Sequence, residues 1–364
     1  MDFSLTEEQQ ALQDSVRRFC EREYGFEQRR KLLTGEDGFA RANWATFAEL
    51  GWLGAGLAEE AGGYGGGPVE NMIILEQMAR ALVLEPFLSC AVIAIQAIAA
   101  QASPDQRGAL LEPVIAGERL VALAHDGPAE TTAEPGEAGN ILNGRKVFVL
   151  GGPSADLLLV SARHTDGGVS LFSVDPAAPG VTRHNYHAVD GRRVSDIILE
   201  DVELGPEALI GKEGTALDAI ELAVDHGVIG LCAEAVGAMD AALWQTRDYL
   251  LTRKQFGQTL NNFQALQHRM ADMLIETELA RSMLYRGLVT LAETDPAARR
   301  KSVSAAKVQI GEAGYFVGGQ AIQLHGGIGL TEEYSVGHYF KRLTLVRGLF
   351  GSTDTHLARF AALP

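Results

Sequence analysis

Cysteine is scarce in this sequence, and so is positive charge. Three cysteines occur in 364 residues, Cys20, Cys90 and Cys232, far apart and with no CxxC spacing. That pattern excludes a disulfide framework or a cysteine zinc site and points to three buried apolar side chains in a reducing compartment. No metal site is expected. Lysines and arginines number 31 against 47 aspartates and glutamates, a formal net charge of −16. So acidic a chain offers no face to nucleic acid or to an anionic membrane. An anionic small ligand would have to be met by local basic groups. Long hydrophobic runs are missing too: the most apolar stretch, Cys90 to Ala100, falls well short of the ~20 residues that span a bilayer. The opening MDFSLTEEQQ is acidic and amphipathic, without the apolar core of a signal peptide, so the expected location is the cytoplasm. The glycine-rich GGYGGG (Gly62 to Gly67) lacks the GK[ST] of a phosphate loop and reads as a turn.

What is present divides the chain. Apolar residues make up 46% and charged residues 21%, an ordinary globular composition, and the length calls for two or three subdomains. Residues 1–118 read as helical. Thr6 and Gln9 form a capping-box pattern, Leu12, Val16, Phe19 and Cys20 recur at helical spacing, and Pro68 suits the first turn of a helix over Val69 to Leu84. Over 119–212 short apolar or alternating runs take over: Leu120 to Ala124, Ile141 to Leu150, Leu157 to Ser161, Val169 to Val174 and Ser195 to Leu199. The turn signals NGRK, GGPSAD, TDGG and DGRR stand between them, so a small antiparallel barrel or sandwich is expected. No ten-residue helices intervene, which disfavours a Rossmann fold. Over 213–364 the chain is helical again. Leu266, Met270, Met273, Thr277, Ala280, Leu284, Leu288 and Leu291 step by three or four, the buried seam of a helix bundle. Two further long helices are expected over about 216–251 and 300–324. The fold class is thus mixed α and β in segregated domains: an N-terminal helical domain, a middle antiparallel β-domain and a C-terminal four-helix bundle.

Three ligand-like features lie in the last domain. Arg253-Lys254-Gln255-Phe256-Gly257 follows a long helix, where an arginine, an amide and backbone N–H groups could grip a pyrophosphate and Phe256 could present a flat face. The same residues could equally be a basic helix end turned by Gly257. Gln323-Leu324-His325-Gly326-Gly327-Ile328-Gly329-Leu330 lets a ligand approach bare backbone, or simply ends a helix in glycine. Gly351-Ser352-Thr353 opens the last helix, as an anion site or as an ordinary N-cap.

In this order and context the three resemble the acyl-CoA dehydrogenase family. The resemblance extends to MDFSLTEEQQALQDSVRRF, AEEAGGYGGGPVENMIILEQMARAL, ILNGRKVFVLGGPSAD, RKQFG and QLHGGIGLTEEYSV, and so to essentially the whole chain. It implies FAD between bundle and β-domain, shared by two subunits. Arg253, Gln255, Phe256, Gln264, Gln323, Gly326, Gly327 and Ser352 would then bind the cofactor, the arginine–phenylalanine motif and the diglycine loop serving the neighbouring subunit's flavin. The implied reaction is α,β-dehydrogenation of an acyl-CoA thioester. A carboxylate takes the α-proton, which the thioester acidifies, and the flavin takes the β-hydride.

The chain departs from the family where that chemistry is done. The family's glutamate stands just before the glycine at the start of the last helix, where this chain has Phe350. The alternative base position, on the long bundle helix, matches Gly227. Neither can accept a proton. Asp225 matches the residue that hydrogen-bonds the substrate's pantetheine. The Thr-Glu-Pro-Gly-like loop of the middle domain is here Ala124-His125-Asp126-Gly127-Pro128, and the tryptophan and threonine beside the flavin ring are Phe148 and Leu150. The neighbour-side set is kept while the own-side set has drifted. The expected function is therefore that of a base-lacking small subunit in an FAD-dependent acyl-CoA dehydrogenase. It resembles the small subunits of two-chain enzymes such as pimeloyl-CoA dehydrogenase and the actinobacterial steroid side-chain dehydrogenases. Its partner would be a homologous large subunit in a heterotetramer, or further copies in a homo-oligomer, with an electron-transfer flavoprotein as acceptor. Two other readings stay open: a self-sufficient flavoenzyme whose base is Asp225, His226 or Asp354, and a catalytically silent acyl-CoA-binding scaffold.

Overall fold

Thr6 caps the first helix, α1 (Glu7–Glu23), and Gln9 bonds back to the Thr6 amide, so both polar ends of the expected capping box are met. The computed structural model describes residues 4–125, 130–137, 139–292 and 295–363. After α1 come α2 (Phe26–Leu33), α3 (Arg41–Glu49), α4 (Pro68–Arg80), α5 (Ile95–Gln101) and α6 (Pro104–Ile115), with a π-helical turn over Leu88–Ala94 leading into α5. The strands are β1 (Val121–Ala124), β2 (Thr132–Pro135), β3 (Asn140–Leu150), β4 (Leu157–Arg163), β5 (Val169–Val174), β6 (Val181–His187), β7 (Arg193–Leu204) and β8 (Leu209–Ile210). Then come α7 (Leu217–Thr252), a hairpin of β9 (Lys254–Gln255) and β10 (Gln258–Thr259), α8 (Gln264–Leu291), α9 (Pro296–His325), α10 (Ser335–Gly348) and α11 (Thr353–Ala362). The order helical, β, helical is the fold class expected from the sequence.

Two compact units result. One comprises Met1–Lys31, Pro68–Val83 and Val228–Pro364 and is helical. Its seam is the α8 stripe: Met273, Thr277, Ala280, Leu284, Leu288 and Leu291 are all buried. α9 packs against α8, α10 and α11. α4 and α7 approach so closely that a Cβ on Gly237 would lie 2.2 Å from the Glu76 carbonyl oxygen; only glycine fits there. Arg281 of α8 reaches Glu76 of α4 at 2.6 Å, and Arg80 of α4 pairs with Asp240 of α7, so three helices are tied by charge as well as by packing. By length and composition α7 could cross a bilayer, but 83% of its most apolar window is buried inside the protein. It is a core helix.

α4 stops short of the helix expected over Val69 to Leu84. Leu82 stands at φ 55°, and the carbonyls of Arg80 and Leu82 are taken by the Tyr339 hydroxyl and by Nε of Arg29 (2.9 Å). Tertiary donors satisfy the helix end, so it needs no glycine.

The other unit comprises Leu32–Gly67 and Leu84–Gly227 and holds an eight-stranded sheet in the order β6-β7-β3-β2-β4-β5-β8, with β1 beside β4. All pairings are antiparallel except those of β4 with β1 and with Thr132 of β2, which are parallel. Leu142, Val149, Leu158, Val160, Phe172, Ile197 and Leu199 fill its core. Cys20, Cys90 and Cys232 are buried and form no disulfide among the described residues, and burial pushes the thiols of Cys90 and Cys232 up to about 12. They are inert packing groups.

Candidate functional site

At the end of α7 the chain reverses through β9 and β10, with Gln258 opposite Gln255 and Thr259 opposite Lys254. The two turn residues, Phe256 and Gly257, stand at φ 53° and 84°. A two-residue hairpin turn of this kind matches the strand twist but demands left-handed backbone at both positions. Glycine adopts it freely; a phenylalanine there costs about 1–3 kcal/mol. Burial does not offset the strain, because Phe256 is 89% exposed, its one ring contact among the described residues being an edge-on approach to Phe263 at 6.1 Å. An aromatic ring is thus held in an unfavourable conformation and directed into solvent. Arg253, Lys254 and Gln255 are exposed beside it, and the guanidinium of Arg253 makes no ion pair among the described residues. Gln264 is exposed as the first residue of α8, whose N-cap Phe263 gives no side-chain cap, while the Leu266 amide turns back to the Phe263 carbonyl at 2.9 Å.

The second motif ends α9. Gly326 turns the chain at φ 65°, and a Cβ on Gly326 or Gly327 would meet nothing within 4 Å, so the backbone there is open to a ligand. Gln323 is exposed. Between them His325 is buried: its Nδ1 donates to the Ala321 carbonyl at 2.8 Å, and burial holds the imidazole below its ordinary pKa. Tyr249 stacks on His325 with centroids 4.5 Å apart and donates its hydroxyl to the His325 carbonyl at 3.3 Å; the Tyr334 ring lies 5.1 Å from the imidazole. Neither tyrosine was evident in the sequence. The available signal was the spacing of Tyr249, one helical turn before Arg253.

The third motif is a pinned turn. Phe350 stands at φ 57° and Gly351 at φ 111°. Buried Lys307 donates to the carbonyls of Arg347 (3.1 Å) and Gly351 (3.2 Å), and Nε2 of buried His356 donates to the Phe350 carbonyl at 3.0 Å. Glu312 accepts from Thr353 (2.6 Å) and Arg347 (2.8 Å), and the Thr353 hydroxyl chiefly holds its carboxyl below the usual range. Ser352 is exposed and already serves as the N-cap of α11, accepting from the Thr355 amide at 3.2 Å. Asp354 is exposed in the first turn of α11. At the centre of this fixture stands a side chain that cannot accept a proton.

In the sheet-bearing unit Phe148 lies in a bulge of β3, where the register shifts between Lys146 and Val149, and its φ is 53°. Asp196 accepts from the Phe148 amide (3.0 Å), the Tyr186 hydroxyl (2.8 Å) and Arg145. Burial opposes the charge of Asp196, yet those three donors outweigh it and leave the carboxyl below its ordinary value. Phe148 and Leu150 are half-buried and carry no hydroxyl or amide on their side chains. Asp225 is fully buried in α7 and engaged, and His226 and Gly227 are buried beside it. His125 closes β1; Asp126, Gly127 and Pro128 of the altered loop lie outside the described residues. Among the described residues no three His, Cys, Asp or Glu side chains could hold a metal ion.

Known families and structures agree with this layout. Three family models match in order: the acyl-CoA dehydrogenase N-terminal domain over residues 6–118, the middle domain over 125–202 and the C-terminal domain over 217–362. The short-chain-specific acyl-CoA dehydrogenase of Clostridium acetobutylicum is 30% identical over 365 residues, covering 92% of each protein. The structure of the ChsE4–ChsE5 complex from Mycobacterium tuberculosis superposes with a TM-score of 0.92 at 26% identity over 100% of both chains. Butyryl-CoA dehydrogenase from Megasphaera elsdenii gives 0.89 at 25% identity over 99% of both.

Proposed function

The chain belongs to the acyl-CoA dehydrogenase family, FAD-dependent oxidoreductases, and within it we propose that this protein is the base-lacking subunit of a two-chain enzyme. The observation that carries the reading is Phe350. The resemblance puts the family's proton-abstracting glutamate at this position, and the backbone here is held by Lys307 and His356 around a side chain with no basic atom. The features suited to a flavin held by another chain are present. Phe256 is directed outward on a strained turn, Arg253 is exposed and makes no ion pair among the described residues, and the Gly326–Gly327 backbone is open. These residues fit the group: Arg253 and the amide of Gly327 would hold its phosphates (the Gly326 amide is taken by the Ile322 carbonyl), Phe256 a ring or ribose face, and Gln255, Gln264 and Gln323 its polar edges. When bound, the flavin supplies hydride acceptance. The carboxylate that takes the α-proton would come from the partner.

The likeness to one chain of a complex named for two proteins, ChsE4–ChsE5, supports a heteromer. Asp225, at the position matched to pantetheine binding, would serve the acyl-CoA side, and an electron-transfer flavoprotein would take the electrons. Ser352 enters the reading only through the start of α11, since its hydroxyl is already used as the cap.

Expression of the chain alone and together with a homologous large-subunit chain decides the matter. The pair should be yellow and active and the single chain should not. A yellow, fully active homomer would overturn the reading. In that event Asp354→Asn and His226→Ala identify the substitute base, and no flavin in any pairing leaves only the scaffold.

A further inference from the structure

Arg253 and the diglycine loop are some seventy residues apart in sequence, on the ends of two different helices, yet a flavin gripped by both needs them at one fixed separation. We propose that Tyr249 and His325 are positioning residues that set it. The inference rests on the flavin half-site reading above.

The connection can be followed atom by atom. The Tyr249 carbonyl accepts the Arg253 amide at 2.8 Å, so the helix carries the position of Tyr249 to the base of the hairpin. The Tyr249 hydroxyl donates at 3.3 Å to the carbonyl of His325, the residue immediately before Gly326. That carbonyl is at the C-terminus of α9 and has no partner within the helix. The rings of Tyr249 and His325 lie 4.5 Å apart at 28°, and Tyr334 closes on both, 5.1 Å from His325 and 6.5 Å from Tyr249. One turn earlier Gln245 and Ser335 exchange hydrogen bonds at 2.7 and 3.0 Å, which fixes the residue after Tyr334 to the same face of α7.

The imidazole itself argues for geometry over stability. Because a carbonyl can only accept, Nδ1 of His325 carries the proton given to Ala321, which fixes the plane of the ring. Nε2 is then a bare acceptor, buried and without a partner among the described residues. A phenylalanine would fill this space without an unsatisfied nitrogen. What histidine adds is a ring plane fixed by its own helix, against which Tyr249 stacks. Two ligand-gripping segments held this way are ordered before the ligand arrives, which lowers the entropic cost of binding.

The test uses the wild-type protein in its flavin-bearing assembly, alone or with the large-subunit chain, and the variants Tyr249→Leu and Tyr249→Phe. The Kd for FAD, the visible circular dichroism of the bound flavin and amide hydrogen exchange over 326–330 are measured. Losing the stack and the hydroxyl in Tyr249→Leu should weaken FAD binding about tenfold, alter the flavin dichroism and speed exchange in the loop. Tyr249→Phe, which keeps the stack and loses the hydroxyl bond to the His325 carbonyl, should hold FAD within roughly threefold of wild type with near-normal dichroism, while exchange in the loop stays faster than wild type. Wild-type affinity and dichroism in a folded Tyr249→Leu protein would overturn the inference while leaving the half-site intact. Should Tyr249→Leu not fold, Tyr249→Phe decides through loop exchange: faster exchange supports the clamp, and unchanged exchange refutes it. A wild-type assembly that binds no FAD in any pairing removes both the reading and the clamp.

Discussion

Replacing Phe256 with asparagine sets two properties of the hairpin against each other. The turn holds Phe256 and Gly257 at φ 53° and 84°, and Asn-Gly is the dipeptide most at ease in that geometry. Relief of a left-handed phenylalanine should return about 1–2 kcal/mol. The loss to be subtracted is small. With Phe256 89% exposed there is almost no burial to forfeit, and the edge-on contact with Phe263 at 6.1 Å is worth about 0.5 kcal/mol at such a site. The single chain should therefore become more stable by about 1 kcal/mol, a rise of roughly 1–2 °C in Tm for a protein of this size. The flavin-bearing assembly should move the other way. If the ring is an anchor in a desolvated interface, its loss costs about 2 kcal/mol, or roughly thirtyfold in flavin retention. Differential scanning of the chain and fluorescence of released FAD from the complex measure the two sides. A variant that destabilises the single chain, or that leaves flavin retention unchanged, refutes the argument that Phe256 is strained in the service of a neighbour.

Under the proposed reading the base comes from the partner, so Phe350→Ala should leave turnover of the assembled enzyme within about twofold, where loss of a general base would cost 10²–10⁴ in rate; a hundredfold loss in kcat would place the chemistry here after all. Lys307→Met should destabilise the helical unit by about 2 kcal/mol, since the carbonyls of Arg347 and Gly351 lose their donor while the burial of a charge is relieved; faster hydrogen exchange over 349–356 would report it, and unchanged exchange would count against the pinned turn. Acid sensitivity should arise at His338, where Nη1 of Arg29 donates to Nδ1 at 3.0 Å and therefore requires the imidazole to be unprotonated. Burial first, with Arg29 beside it, holds this group below its ordinary pKa of 6.5 in spite of Glu332. The folded state binds the proton less readily than the unfolded chain, so the stability it contributes is full above pH 6.5 and is lost as pH falls from there through the lowered value. His338→Gln, which keeps an acceptor for Arg29, should flatten the dependence of the denaturation midpoint on pH between 5 and 7, and an equally steep dependence in the variant would exclude His338 as its source.

Much of the fold was legible because its periodicities are strong. Met273, Thr277, Ala280, Leu284, Leu288 and Leu291 fall on one helix face and are buried together, and the strands of β3, β4, β5 and β7 carry apolar runs that match the core. β6 was missed because Val181–His187 is polar and largely exposed at a sheet edge, where no inward face demands alternation. β9 and β10 have two residues each, too few for any period to register. The end of α4 was misplaced because Arg29 and Tyr339, distant in sequence, supply the donors that terminate it.

The site shows the same limit more sharply. Motif order pointed to Arg253, Phe256 and the diglycine loop, but not to the backbone that makes them meaningful. Five non-glycine residues among those described stand at positive φ, and three are the phenylalanines Phe148, Phe256 and Phe350. Phenylalanine has no preference for that conformation, so nothing in the sequence could announce it; each costs about 1–3 kcal/mol and persists only because its surroundings over-determine it. Asp196 takes the Phe148 amide, a two-residue turn confines Phe256, and His356 takes the Phe350 carbonyl with Lys307 on the carbonyl that follows. At Phe350 the consequence is most direct. The turn keeps the costly geometry that would aim a proton-accepting side chain while the side chain itself accepts nothing. Strain kept without its chemistry is what a subunit would show if its fold must still match a catalytic partner, and the proposed reading therefore seeks the base in a second chain.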